Sequence, residues 1–333
     1  VREKSAETVD AQSRALCENT GYEEFSLSSL STSDYTELER LLPMLLDWAE
    51  KEQTNISLPS LRVDGFSEEL AARLNILRRS GLTFAPEAGT QRLRDAINKN
   101  LSEPEILETA KRAFSAGWTA VKLYFMMGLP TETREDVAGI AALAQKIVNA
   151  YYANPNKPKG KGVNVSVSVS CFVPKPFTPF QWEPQDTVEE LEAKQRHLRE
   201  SVTTRKVSLH WHDAQVSFLE GVFARGDRRL CAAMEEAFRR GCKRDAWSEH
   251  FSLQTWLDVF RDLGIDPAFY ANRRRDFAEI LPWDHLDYGV TKAFLAAENR
   301  RAHESVTTPN CRQACAGCGA ARWKGGVCTD GRN

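Results

Sequence analysis

The sequence predicts an α/β protein built on a parallel sheet or barrel, and three observations predict it. Between residues 23 and about 213, short β-rich runs alternate with longer stretches whose apolar residues recur at three and four. The runs are spaced widely enough for helical crossovers, which parallel strands require. Helix-start residues stand where crossovers should begin: Ser67 precedes Glu-Glu-Leu, Ser102 precedes a turn containing Pro104, and Thr133 precedes Arg-Glu-Asp.

Taken in order, the β-rich runs predict strands over residues 24–30, 55–61, 82–86, 120–127, 164–173 and 206–211. The periodic stretches predict helices over 34–51, 66–79, 91–116, 134–153 and 187–205. The Lys-, Pro- and Gly-rich segment 154–162 reads as an exposed loop. Residues 174–184 can neither continue a strand nor start a helix, because prolines at 174, 176, 179 and 184 remove donors and fix φ. Residues 214–302 read as a helical extension rich in Trp, Phe and Arg, and residues 303–333 as a Cys- and Gly-rich tail too polar to pack a core.

Composition narrows the functional classes. The 333 residues are 42% hydrophobic and 27% charged, enough for a full core and two or three domains. Lys plus Arg number 44 against 46 Asp plus Glu, so the net charge of −2 offers no global field for a polyanion or an acidic membrane. A nucleic-acid partner would need a local patch. No apolar run approaches a membrane span and the N-terminus lacks the apolar core of a signal peptide, which predicts a cytoplasmic protein without a membrane partner.

In parallel α/β folds ligands sit at the C-terminal ends of strands. Glu87, directly after an apolar run and before Ala88 and Gly89, is therefore a candidate to meet a ligand hydroxyl or ammonium group; equally, it reads as a carboxylate at a helix start. Arg62 could clamp a carboxylate, or pair with Asp64 or Glu87. The Gly128-Leu129-Pro130 turn by itself is a common strand-to-helix connection.

Together these pieces resemble one family. PEAGTQRLRDAINKN (86–100), followed by a helix and VKLYFMMGLPTET (121–133), resembles the fourth and fifth strand segments of radical S-adenosylmethionine (SAM) enzymes. SLPSLRVD, FVPKPFTPFQW and LEGVFARGDRR are similar to an uncharacterised subfamily associated with cobalamin-binding domains, and the resemblance runs over about residues 1–320. It implies that residues 1–213 form a partial (βα)6 TIM-like barrel lacking its first strand and cluster loop. It also implies an enzyme in which a 4Fe-4S cluster and an electron donor cleave SAM to a 5′-deoxyadenosyl radical that acts on an unknown substrate. On that analogy Ser28, Ser31, Ser60, Arg62, Glu87, Gly89, Gly128 and Pro130 match cofactor-contacting segments. After Ser28 the Gly-Gly-Glu of many relatives is missing. No catalytic residue is assigned.

The cluster loop, a C-x3-C-x2-C after the first strand, is also missing, since Cys17 stands alone. The subfamily continues from that loop into a segment like Y-R-P-V-R-E-K-S, and this chain opens on VREKS, so the expectation is a fragment beginning just after the loop, with any cobalamin domain upstream. Such a fragment would be inactive alone. Cys311, Cys315 and Cys318 repeat the C-x3-C-x2-C spacing in the tail with Cys328 as a fourth ligand, which suits a second iron-sulfur cluster or zinc; unliganded cysteines are the bland alternative.

Other motifs carry two readings each. His210 and His212 could bind metal or move protons, or serve as hydrogen-bonded structural histidines. The run Arg225 to Arg229 could hold phosphate or RNA, or pair with acids near Glu220 or Glu235. Trp247, Trp256 and Trp283 are expected in the core. The rival to the radical SAM enzyme is a non-catalytic RNA- or protein-binding module with a degenerate barrel and zinc tail; a further enzyme alternative is methyl or methylthio transfer to RNA.

Overall fold

A computed structural model describes residues 3–28, 35–57, 82–311 and 313–322. The first unit begins with α1 (Ala6–Thr20), where Ser5 caps the N-terminus through the Thr8 N–H and Gly21 at φ 70° ends the helix in a left-handed turn. Strand β1 (Glu24–Ser26) pairs in parallel with β2 (Asn55–Ser57) around α2 (Leu38–Lys51). Leu41, Leu45 and Trp48 of α2 pack on Phe25, whose ring stacks on Trp48 at 5.3 Å. The expected helix 66–79 and its cap Ser67 lie outside the described residues.

The main sheet runs β3 (Leu82–Glu87), β4 (Ala120–Met127), β5 (Asn164–Cys171), β6 (Val207–Trp211), all parallel and in sequence order. Its crossovers are α3 (Gln91–Ala96) and α4 (Glu103–Ser115), then α5 (Arg134–Ala153), then α6 (Val188–Ser201). This is the expected α/β class, and four of its strands agree with the β-rich runs to within two residues. Alternation places Val121, Leu123, Phe125 and Val165, Val167, Val169 on the face covered by α4 and α5, against Ile106, Phe114, Ile140 and Ile147. Each such burial contributes about 1.5–3 kcal/mol.

Helix boundaries follow local chemistry. Thr133 with Asp136, Ser102 with Glu105, and Thr187 with Glu190 each form a reciprocal capping box. The single helix expected over 91–116 is two, because Asn98 turns left-handed at φ 54° and Ser102 starts the chain afresh. Helix α6 stops at Ser201, short of residue 205, where Val202, Thr203 and Thr204 leave the helix and Val202 is extended.

Beyond β6 the chain is helical as expected: α7 (Ala214–Ala224), α8 (Leu230–Arg239), α9 (Leu253–Asp262), α10 (Pro267–Ala271) and α11 (Lys292–His303). Phe218, Val222, Trp256 and Phe260 form one core there, and Trp182, Trp283 and Leu295 another, which joins the proline-rich segment to α11. Trp247 departs from expectation: it is 57% exposed, in a turn between α8 and α9. No helix among the described residues is long and apolar enough to cross a membrane.

One backbone contact locks the two strand-to-helix turns together. Gly89, after β3, lies so close to α5 that a Cβ there would stand 2.3 Å from the Ile140 nitrogen and 2.5 Å from the Asp136 carbonyl oxygen. Gly139 faces it, with Thr90 Cγ2 at 2.8 Å from its own would-be Cβ. Gly89→Ala is therefore expected to destabilise by about 3 kcal/mol in denaturant unfolding, whereas Gly162→Ala, whose nearest neighbour is a flexible lysine end at 3.4 Å, should change little.

Candidate functional site

The C-terminal ends of β3, β4 and β5 open on a cavity of about 300 Å³. Glu87, Lys99, Met126, Leu129, Phe172 and Phe180 line it from the sheet side, and Glu298, Ala302 and Val306 roof it from α11 and the chain after it. Apolar side chains dominate the wall, with carboxylates at two places, the usual make-up of a small-molecule site.

Glu87 is the unusual wall residue. It ends β3 at φ 67°, a conformation that a glutamate adopts only under constraint from its surroundings. The pairing of β3 with β4 shifts by one residue between Phe84 and Glu87, so Glu87 stands beside Phe125 just after the irregularity. Its carboxylate accepts from Lys99 Nζ at 3.2 Å. Fully buried Arg94 fixes the following turn by donating to the Ala88 carbonyl at 3.0 Å and the Leu101 carbonyl at 3.1 Å.

Asp136 binds this turn to the next. It accepts from the Thr133 N–H at 2.9 Å, from Thr90 and from Arg92, while its side chain is only 3% exposed. Burial alone would raise its carboxyl, but these donors outweigh burial and hold it below the ordinary range. The Gly128 turn has a parallel anchor. Gly128, at φ 85°, donates its N–H to buried Glu132 at 2.8 Å, and Lys194 bridges Glu132 (2.8 Å) and Asp186 (2.6 Å). Burial opposes the Lys194 charge, but the two carboxylates facing it prevail and hold the ammonium above its usual range.

The roof is held by Glu183, at the end of the proline-rich segment and buried. Its Oε1 accepts from Asn299 at 2.8 Å and bonds His303 Nε2 at 2.9 Å, and its Oε2 pairs with Arg274 at 2.8 Å. Asn299 also donates to the Pro179 carbonyl at 2.9 Å. These contacts seat α11 across the strand ends.

Of the residues singled out in the sequence, Glu87 lines the cavity, and Gly128 and Pro130 flank its wall residue Leu129. Gly89 is occupied by its contact with α5. Ser28 is exposed two residues past β1, while Ser31, Ser60, Arg62 and Cys328 lie outside the described residues. Cys311 and Cys315 are exposed and Cys318 is half-buried, and no metal-holding group of three or more His, Cys, Asp or Glu forms among the described residues. His210 and His212 are both exposed, which corrects their reading as structural histidines; β6 ends between them.

The arginine run pairs differently from expectation. Asp227 pairs with Arg229 at 2.6 Å, whereas Glu220 pairs with Lys175 and Glu235 with Arg239. Arg225 is fully buried and donates to the Ala271 carbonyl at 3.0 Å; buried Arg275 donates to the carbonyls of Arg225 and Tyr270. Burial, with neighbouring guanidinium charge, pushes them down to about 9 and about 10, so both stay charged at neutral pH. Sequence reading missed Glu132, Lys194, Glu183 and Glu298. Glu132 had a local signal, its place inside Gly-Leu-Pro-Thr-Glu-Thr; Glu183 and Lys194 depend on partners far along the chain, and Glu298 pairs with nearby Arg301 and Thr308.

A parallel sheet with a roofed cavity at its C-terminal strand ends is an α/β arrangement in which ligands commonly sit at that end. The Radical SAM superfamily model matches residues 1–144, so this part of the chain is a radical SAM superfamily domain. The chain is 29% identical over 240 residues to the uncharacterised protein MJ0966 of Methanocaldococcus jannaschii, covering 72% of this chain and 50% of that one. It thus spans about half the length of that relative. Among solved structures it is similar to the archaeal Methanocaldococcus infernus Elp3 with an N-terminal deletion, at a TM-score of 0.41 and 12% identity, over 60% of this chain and 50% of that chain.

A carboxyl held below its unfolded value of about 3.9 contributes stability that is present above that value and lost as the pH falls through the folded one. Asp136→Asn is accordingly expected to lose about 2 kcal/mol at pH 7. In denaturant unfolding at a series of pH values, the gap to wild type should narrow once the pH drops below the unfolded carboxyl value.

Proposed function

We propose that this chain is the SAM-binding part of a radical SAM enzyme, with the barrel over residues 1–213, the helical extension over 214–302 as its roof and the tail over 303–333 as a separate metal site. The cavity at the strand ends takes the adenosyl group of SAM. The observation that carries this reading is Glu87, held at φ 67° at the end of a strand within the matched domain, with its carboxylate on the wall of an apolar cavity. A carboxylate so placed accepts hydrogen bonds from ribose hydroxyls, and Phe172 and Phe180, edge to face at 5.8 Å, offer a purine an aromatic wall.

The iron-sulfur cluster of such enzymes supplies the electron that cleaves SAM. Among the described residues the cysteines do not fit that role at the mouth: Cys17 is buried in the α1–α2 core, Cys171 packs on the helix side of β5, Cys231 and Cys242 lie in and just after α8, and Cys311, Cys315 and Cys318 lie in the tail. What the chain's own residues do is bind and orient: Glu87 meets the ribose, the Gly128 turn and Leu129 close one wall, and α11 excludes water from above.

Glu87→Gln is expected to weaken SAM binding about tenfold in equilibrium dialysis, the loss of one charge-assisted hydrogen-bond partner, with the far-UV circular dichroism unchanged. Unaltered affinity in that variant, or binding that survives filling the cavity with Ala302→Trp, would overturn the assignment. For the tail, metal analysis should find about one zinc, or one iron-sulfur cluster, per chain, removed by Cys311→Ala/Cys315→Ala; equal metal content in the two proteins would end that idea.

A further inference from the structure

Two arginines are buried in the helical extension without a carboxylate of their own. Arg225, at the end of α7, is 0% exposed, and Arg275, just after α10, is 4% exposed. Both hold the C-terminal end of α10. Arg225 Nη1 donates to the Ala271 carbonyl at 3.0 Å, and Arg275 Nη2 donates to the carbonyls of Tyr270 and Arg225, each at 3.2 Å. The guanidiniums therefore lie side by side. Their other side-chain nitrogens include three, Arg225 Nε and Nη2 and Arg275 Nη1, that are buried and have no hydrogen-bond partner among the described residues. Nε and Nη2 share one edge of the guanidinium plane, and that edge is the fork by which an arginine takes two oxygens of one anion.

The charge balance points the same way. The carboxylates that act on Arg225 are Glu183 and Glu279. Glu183 is already bonded to Arg274, Asn299 and His303, and Glu279 is held through both oxygens by Arg273. Asp276 is exposed and accepts from the Ala278 N–H. Four arginines against two carboxylates leave two positive charges, and the unpaired ones are Arg225 and Arg275. A buried charge is tolerated when it is paired and fully hydrogen-bonded, and is costly otherwise.

We propose that Arg225 and Arg275 hold a small dianionic oxyanion of the phosphate or sulfate class, with two of its oxygens on the free fork of Arg225 and another on Arg275 Nη1. A tetrahedral oxyanion presents more acceptor oxygens than a carboxylate, which suits three free nitrogens on two residues, and its two charges match the excess. Enclosure of both side chains limits the ligand to the free ion, because an ester would need room for its body. The Arg275 N–H donates to the Trp182 carbonyl at 2.8 Å, and the next residue, Glu183, seats α11 over the mouth. An ion that neutralises the pair thus steadies the roof. Its binding is independent of what the mouth holds.

Equilibrium dialysis of the full chain against radiolabelled phosphate, in chloride buffer at constant ionic strength, tests the site. Saturation at one phosphate per chain is expected, with sulfate displacing it and acetate or chloride at least about tenfold weaker. An ion retained through purification supports the site equally, and acid denaturation would then release one phosphate or sulfate per chain. Arg225→Lys and Arg275→Lys keep the charge but remove the planar donors, so each should weaken phosphate about tenfold with the far-UV circular dichroism unchanged. Arg196→Met, on the exposed surface of α6, should bind as wild type. Phosphate should also raise the melting temperature of the wild type along the same saturation curve; an equal rise in Arg225→Lys would mark a general salt effect and overturn the proposal. So would the absence of both saturation and a retained ion, displacement by acetate as readily as by sulfate, or wild-type affinity in both lysine variants.

Discussion

The backbone contact between Gly89 and α5 is the constraint on which the strand-end region depends. Two turns that follow neighbouring strands must meet at van der Waals distance, and a side chain at either glycine would force them apart. Once they meet, Asp136 accepts from both turns, through Thr90 and Arg92 on one side and Thr133 on the other. The carboxylate is buried, yet it accepts from the N-cap residues of two helices and from the Arg92 guanidinium, so its desolvation is offset by three donors. The left-handed Glu87 sits two residues before this lock. Its strained conformation persists because the chain on its far side has no freedom to relax.

A second set of buried charges does for the roof what Asp136 does for the floor. Glu183 ties the proline-rich segment to Asn299 and His303 of α11, and Lys194 ties the Gly128 turn to Asp186 just beyond the same segment. Residues 174–186 thus touch the sheet, α6 and α11 in turn. Their prolines reduce the entropy lost on fixing an irregular path, so a stretch with no ladder bonds of its own can act as a rigid strut. The buried arginines continue the pattern into the helical extension, where Arg225 and Arg275 donate to the carbonyls at the end of α10.

How much of this was legible in sequence depended on the range of the interaction. Strands β4 and β5 and helices α4, α5 and α6 were readable because their signals are local: alternation, a 3.6 period, and a capping residue with its acid three positions on. The break at Asn98 was not, because the periodic pattern continues across it and only the backbone reverses. Glu87 was legible as a site residue by its position after a strand. Gly89 was legible as special but not as a packing residue, since the partner that requires it, Gly139, lies on the far side of the next strand. Glu183 and Lys194 gave no signal; each is an ordinary charged residue until the fold sets it against partners distant in sequence, and Glu298 reads as a helix-surface acid paired with Arg301 until the cavity forms beside it. The arginine run misled for the converse reason: proximity in sequence to Glu220 and Glu235 says nothing about which acids the helices leave free.

Strand β5 shows how one short pattern decides which face of a sheet is packed. In Asn-Val-Ser-Val-Ser-Val-Ser-Cys the valines reach relative exposures of 0 to 2% against the helices, while the serines stay partly open on the other side. A strand buried on both faces of a doubly covered sheet would read as continuous Val and Ile. The alternation therefore reports that only one face of this sheet was built for packing. Because the pairing register is fixed along all eight residues of β4 and β5, a slip by one would bury serines against α5 and expose valines, so the hydrophobic face also holds the hydroxyl face in place. A packed side and an open side of the strand are then two consequences of the same period of two.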